Sequence, residues 1–172
     1  LAYLNKPGGA EEAADFVAAW RRLVDPATAS QYAQMLEPVT NARAIITGRA
    51  PPSSLGVAED GPRGLVVRLE QPTAYFPALL SHPSTFPVHR ASLDSGEPGF
   101  ARPGRAVTNG AYVPVEWEVG AFVRAERNPH FREAASTAIA AVRYQHVSDP
   151  GTELTRYRAG DLDVTYTLPA GQ

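Results

Sequence analysis

TNGAYVPVEWEVGAFVRAERNPHF, running from Thr108 to Phe131, reads as an antiparallel hairpin. Asn109-Gly110 opens it, a pair that accepts backbone conformations other residues resist. Tyr112, Val113, Val115 and Trp117 are β-branched and aromatic, side chains suited to a pleated surface. Gly120 supplies the turn, and Phe122, Val123 and Arg124 return as the second strand. Asn128-Pro129 closes it, because proline lacks the amide proton a continuing ladder would use. Trp117 and Tyr112 are the expected apolar ballast of this hairpin.

Outward from the hairpin, composition sets limits. A chain of 172 residues fits one ordinary domain or two small ones and can bury a core. At 44% hydrophobic and 20% charged it is of globular type, and a formal net charge of -2 points away from nucleic acid. With no cysteine there is no disulfide, thiolate metal site or cysteine nucleophile. No apolar run approaches the ~20 residues of a membrane span, and no signal peptide is visible. The opening Leu1-Ala2-Tyr3-Leu4, without an initiator methionine, is what a processed, truncated or fragmentary chain would show. Lys6 is the only lysine.

Toward the N-terminus, Lys6-Pro7-Gly8-Gly9 marks Leu1 to Ala10 as a loose entry. Phe16, Val17, Trp20, Leu23 and Val24 recur on one helix face, with Glu11 and Glu12 in its first turn and Asp25-Pro26 as its stop. Trp20 reads as a core anchor. A second short helix is expected from Thr28 to Leu36, and a third from Asn41 to Thr47, ended by Gly48. Val57 to Leu69 reads as a hairpin turning at Asp60-Gly61-Pro62. Thr73 is the expected cap of a short helix carrying Tyr75, Phe76, Leu79 and Leu80. Ser92 to Gly104 reads as a surface loop. Beyond the central hairpin, Glu133 to Ala138 is a turn or weak helix and Ala141 to Val147 a half-buried strand. Thr152 to Arg158 is a helix capped by Gly160, and Asp161 to Thr165 a final strand.

Five stretches carry a resemblance. DFVAAWRRLVDPATAS, SLGV through LEQP, HPSTFPV, TNGAY with ERNPHF, and TELTRYRAGDLDVTYTLP occur in the order found in extracytoplasmic solute-binding proteins of the oligopeptide-binding family. The resemblance spans Asp15 to Pro169. It implies a partial type II periplasmic-binding-protein fold, α/β overall and α+β in the first half, with small mixed sheets and short helices. Family members are considerably longer, so the chain is expected to be an internal piece. Residues 1–89 would form the small second subdomain of the first lobe and residues 90–172 part of the main lobe, with separate sheets on either side of His89-Arg90.

The resemblance also implies a function: the substrate-binding component of an ABC-type importer, capturing oligopeptides through backbone hydrogen bonds between two lobes. A membrane permease would be its partner, and the location periplasmic or otherwise extracytoplasmic, with or without a membrane anchor. It carries ligand contacts onto Tyr32, whose match points toward the peptide cleft, and onto Tyr166 and Thr167 at the end of the last strand. A core tyrosine is the competing reading of Tyr32. Gln31 stands where the family usually has proline, Thr167 replaces an amide residue, and Phe131-Arg132 replaces an aromatic pair. Receptors of the same scaffold for dipeptides, murein peptides, nickel or haem remain alternatives.

For catalysis the residues give little. No G-x-S-x-G and no phosphate-cradling G-x-x-x-x-G-K-[ST] occurs. His82, His89, His130 and His146 lack metal-ligand spacing and read as surface or internally bonded side chains. Asp161 and Asp163 share one face of the expected strand, as a carboxylate pair or as solvent-facing edge charges. Arg21-Arg22 and Arg156-Tyr157-Arg158 read as solvated faces or ion pairs. No cofactor is implied, and the expectation is a binding protein; a small hydrolase using His82 or Asp163 is the remote alternative. An isolated chain of this length should bind peptides weakly or not at all and self-associate through an exposed edge or apolar face.

Overall fold

A computed structural model describes residues 12–94, 99 and 101–169. The expected loose entry at Leu1 to Ala10, and Glu11, lie outside these residues, as does part of the loop expected from Ser92 to Gly104. Helix α1, Ala13–Val24, forms where the apolar spacing placed it. Its Glu12 amide donates to the Asp15 carboxylate at 3.1 Å, so one of the helix's unpaired amino-terminal donors is satisfied locally. Asp25 ends the helix and caps the following turn by accepting from the Ala27 amide.

The helix expected from Thr28 to Leu36 is instead two 3-10 turns, Pro26–Thr28 and Ala33–Leu36. Between them Ala29 takes φ 51°, a left-handed conformation that no helix can pass through. Helix α2, Ala42–Ile46, follows, and Gly48 at φ 73° leaves it as expected. Strands β1, Val57–Glu59, and β2, Leu65–Val67, pair antiparallel, and Val39 bridges to Leu69 beside them. Helix α3, Phe76–Leu79, starts at Tyr75 rather than from a Thr73 cap. The Thr73 hydroxyl bonds the Gln71 carbonyl, leaving only its carbonyl to receive the Phe76 amide. Helix α4, Arg90–Asp94, occupies the start of the expected surface loop.

These elements wrap α1. Trp20 is 1% exposed, with the Phe16 and Phe76 rings edge-on to it at 6.4 and 6.3 Å. Leu36, Val39, Ile45, Leu55 and Val57 complete the buried cluster. The Trp20 indole N–H donates to the Thr85 carbonyl at 2.8 Å. Asp15, itself buried, accepts the Arg90 amide at 2.7 Å and so ties α4 to α1.

The central hairpin forms as β3, Tyr112–Glu118, and β4, Phe122–Arg127, turning at Gly120 with φ 78°. Strand β5, Ala141–Gln145, adds antiparallel to β4, giving the order β3-β4-β5. Register puts Pro114, Ala125 and Val142 on one face with Trp117, Val123 and Tyr144, and Glu116, Arg124 and Arg143 on the other. A bulge between Pro114 and Glu116 absorbs Val115. Trp117 is not buried ballast: it stands 43% exposed, with the Arg102 guanidinium 4.8 Å from its ring. Tyr112 is half-buried and bonds the Ile139 carbonyl through its hydroxyl.

The anchor of the hairpin's end is Asn128, which the sequence marked only as a stop. Its side chain is fully buried, donates to the Gly110 carbonyl at 2.9 Å and accepts from the His130 amide at 3.0 Å. Helix α5, Pro150–Arg158, begins at Asp149 and leaves through Gly160 at φ 82°. The strand expected from Asp161 to Thr165 does not form, because none of its residues joins a ladder. Among the described residues the fold is therefore a mix of short helices and two small antiparallel sheets.

Two substitutions probe this architecture. Leu36→Ala, at a fully buried side chain, should lower unfolding free energy by about 2–5 kcal/mol in urea titration. Asn128→Ala, which strips a partner from the half-buried Gly110 carbonyl and from the His130 amide, should lower it by about 1–3 kcal/mol.

Candidate ligand-binding site

Tyr32 owes its position to its neighbours on both sides. After left-handed Ala29, the Ser30 hydroxyl accepts the Tyr32 amide at 3.2 Å, and Leu36 at the end of the next turn is fully buried. The Tyr32 ring is left 46% exposed, which is not the environment of a core tyrosine. It leans on the His82 ring, 4.8 Å away between centroids and tilted by 43°.

His82 is held as firmly. It caps the 3-10 turn Pro83–Thr85, its Nδ1 accepting the Ser84 amide at 3.2 Å and meeting the Ser84 hydroxyl at 2.8 Å. Thr85 is buried, and its hydroxyl donates to the His82 and Leu80 carbonyls at 2.8 and 3.1 Å. Its own carbonyl takes the Trp20 indole N–H. The Tyr32–His82 ledge thus stands directly on the core around α1. Sequence reasoning weighed His82 as a surface or internally bonded side chain, with a hydrolase role as the remote alternative, and the Ser84 bonds make it internally bonded at Nδ1. A histidine ahead of Pro-Ser signals a cap, but nothing in the sequence pairs it with a ring fifty positions earlier.

Tyr166 and Thr167 lie elsewhere, beyond α5. The Tyr166 amide donates to the Glu153 carboxylate at 2.6 Å while its ring is 96% exposed, and Thr167 is exposed. Among the described residues no hydrogen bond or ring contact joins Tyr32 to Tyr166 or Thr167. The described residues include two concavities. One of about 670 Å³ is lined by Glu37, Arg43, Arg49 and Glu70 among others; the second, of about 460 Å³, runs along α5 to Pro169. Neither contains Tyr32, and in the larger one Arg43 is already paired with Glu37 at 3.0 Å.

The remaining candidates have ordinary partners. His89 Nδ1 meets the Ser92 hydroxyl at 2.8 Å, and the His130 backbone amide joins the Asn128 network. Asp161 lies 4.0 Å from Arg156, and without a strand the shared face expected of Asp161 and Asp163 does not exist. Among the described residues no three His, Cys, Asp or Glu side chains gather as a metal site. None of their helices is long and apolar enough to cross a membrane.

The α5 cap governs the segment carrying Tyr166. Asp149 accepts the Thr152 amide at 2.6 Å and its hydroxyl at 2.8 Å. These bonds to the ionised form, the backbone one foremost, hold the carboxyl below its ordinary value of 3.8. A depressed folded-state value stabilises above the unfolded-state value and is lost as pH falls through the folded one. Asp149→Ala should therefore lower the denaturation midpoint at pH 7 and at pH 5 alike. The gap to wild type should close below about pH 4.

Residues 8–172 match the family model of the bacterial extracellular solute-binding proteins, family 5 Middle. A probable deoxycholate-binding periplasmic protein, YgiS of Escherichia coli (strain K12), is 40% identical over 162 residues, 93% of this chain and 30% of that protein. The periplasmic oligopeptide-binding protein OppA of Salmonella typhimurium is 40% identical over 154 residues, 88% of this chain and 28% of that one. The OppA structure from Burkholderia pseudomallei superposes with a TM-score of 0.91 at 36% identity, covering 99% of this chain and 33% of the other. The chain thus spans about 30% of the length of the curated relatives it matches.

Proposed function

Because the chain belongs to the bacterial extracellular solute-binding proteins of family 5, we propose that it is part of the substrate-binding component of an ABC-type peptide importer. The observation that carries the reading is coverage. Relatives named as oligopeptide-binding match 88% of the chain in sequence and 99% of it in structure. The ligand is an oligopeptide held by its backbone, and Tyr32, Tyr166 and Thr167 are its contacts from this chain. Tyr32 suits that role, since its exposed ring gives contact area and its hydroxyl can bond a peptide group. The partner is a membrane permease, the location extracytoplasmic, and the role binding rather than catalysis. Residues 1–89 and 90–172 are proposed as two subdomains, joined where the Arg90 amide is fixed by Asp15.

A second reading has its own support, since a relative at the same 40% identity is named as a probable deoxycholate-binding protein. A rigid amphipathic ligand would use the same aromatic ledge with fewer hydrogen bonds.

The test is a thermal-shift screen of the full-length product of the gene encoding this chain. The ligands are tri- to pentapeptides, dipeptides, a murein peptide, deoxycholate, nickel and haem. Peptides at about a hundredfold above Kd should stabilise by about 2.7 kcal/mol and raise the midpoint accordingly. A rise with deoxycholate and with no peptide would establish the second reading instead. The isolated 172-residue chain should bind the same peptides more weakly in calorimetry and self-associate in light scattering. Each hydrogen bond made in open water contributes only about 0.5–1.5 kcal/mol.

A further inference from the structure

The geometry points to His82 as a second ligand-binding residue beside Tyr32, presenting an Nε2–H donor to a backbone carbonyl of a bound peptide. This rests on the peptide-binding reading above. The Ser84 backbone amide lies 3.2 Å from Nδ1 and can only donate, so Nδ1 keeps its lone pair. The Ser84 hydroxyl meets the same nitrogen at 2.8 Å. A neutral imidazole with its lone pair at Nδ1 carries its proton on Nε2. Among the described residues that Nε2–H has no partner, and neither does the Tyr32 hydroxyl.

Two unsatisfied polar groups therefore sit on adjoining rings 4.8 Å apart, on a ledge that is partly open to solvent. A peptide group fits this pair: its carbonyl accepts from Nε2–H, while the tyrosine hydroxyl donates to or accepts from the next polar atom along the backbone. A metal ion fits it less well, because freeing the Nε2 lone pair would put the proton on Nδ1 and break the bond from the Ser84 amide. The donor is fixed before the ligand arrives. The Ser84 amide holds the ring, and the turn behind it is pinned to Trp20 through Thr85. Little ordering is then left to be done on binding.

His82→Asn separates this role from a structural one. The asparagine amide oxygen takes the place of Nδ1 and is a favoured cap, so the turn survives while the Nε2 donor is lost. In the full-length gene product, with trialanine as the probe, H82N should raise Kd about two- to tenfold at an unchanged unfolding midpoint. His82→Gln, whose amide reaches toward the Nε2 position but cannot cap, should recover part of the affinity at a lower midpoint. An unchanged Kd in H82N, or a loss that only tracks a lowered midpoint, overturns the inference and leaves the peptide reading standing. A wild type that binds no peptide overturns both. Nitrogen-15 spectra of the imidazole give a check that needs no mutation. The Nε2–H tautomer, with its signal displaced by trialanine, is expected; an Nδ1–H tautomer overturns the proposal.

Discussion

A single buried hydrogen bond, from the Trp20 indole to the Thr85 carbonyl, joins segments 65 positions apart and sets where everything else in the first part can lie. The indole brings a large apolar area that is worth burying, and its N–H would be left unsatisfied in that apolar setting without a partner. Thr85 meets this need only if the 3-10 turn at Pro83–Thr85 is laid across α1, and its hydroxyl then stitches that turn to Leu80 and His82. The turn's first residue inevitably comes out beside the segment that Leu36 anchors from the other side. The ledge of Tyr32 and His82 is a by-product of how the core is closed, which is why irregular segments can hold two rings in fixed relation.

What was legible in the sequence was whatever is repeated along it. The face of α1 repeats its apolar residues at helical spacing, and both hairpins show strand-forming residues flanking glycine, so all three appear where expected. The family was legible because motifs kept their order over most of the chain. What was not legible depends on single residues or on distant partners. Ala29 in a left-handed conformation breaks a run whose composition is helical. Asn128 looks like a turn former, and only its three-dimensional surroundings show a buried amide joining Gly110 to His130. Trp117 has the composition of a core residue but lies on the outer part of a three-stranded sheet, where an arginine covers its face. Asp161 to Thr165 alternates like a strand, yet alternation states only which sides residues would face. A ladder also needs a neighbour, and among the described residues none comes alongside.

The charged and apolar faces of the β3-β4-β5 sheet stay distinct despite an irregularity in the middle of β3. Pro114 and Trp117 are an odd number of residues apart, so in a regular strand they would point to opposite sides. They share a side because Val115 is squeezed out of the pairing beside a proline that has no N–H to contribute. The bulge acts as a phase corrector that separates the length of the strand from the identity of its faces. A version of this strand one residue shorter at Val115 would keep the same residues against β4, whereas one residue lost farther along it would turn over the residues between the loss and the bulge. A one-residue gap at this position in an alignment of relatives would therefore be structurally silent, and the same gap a few positions away would not.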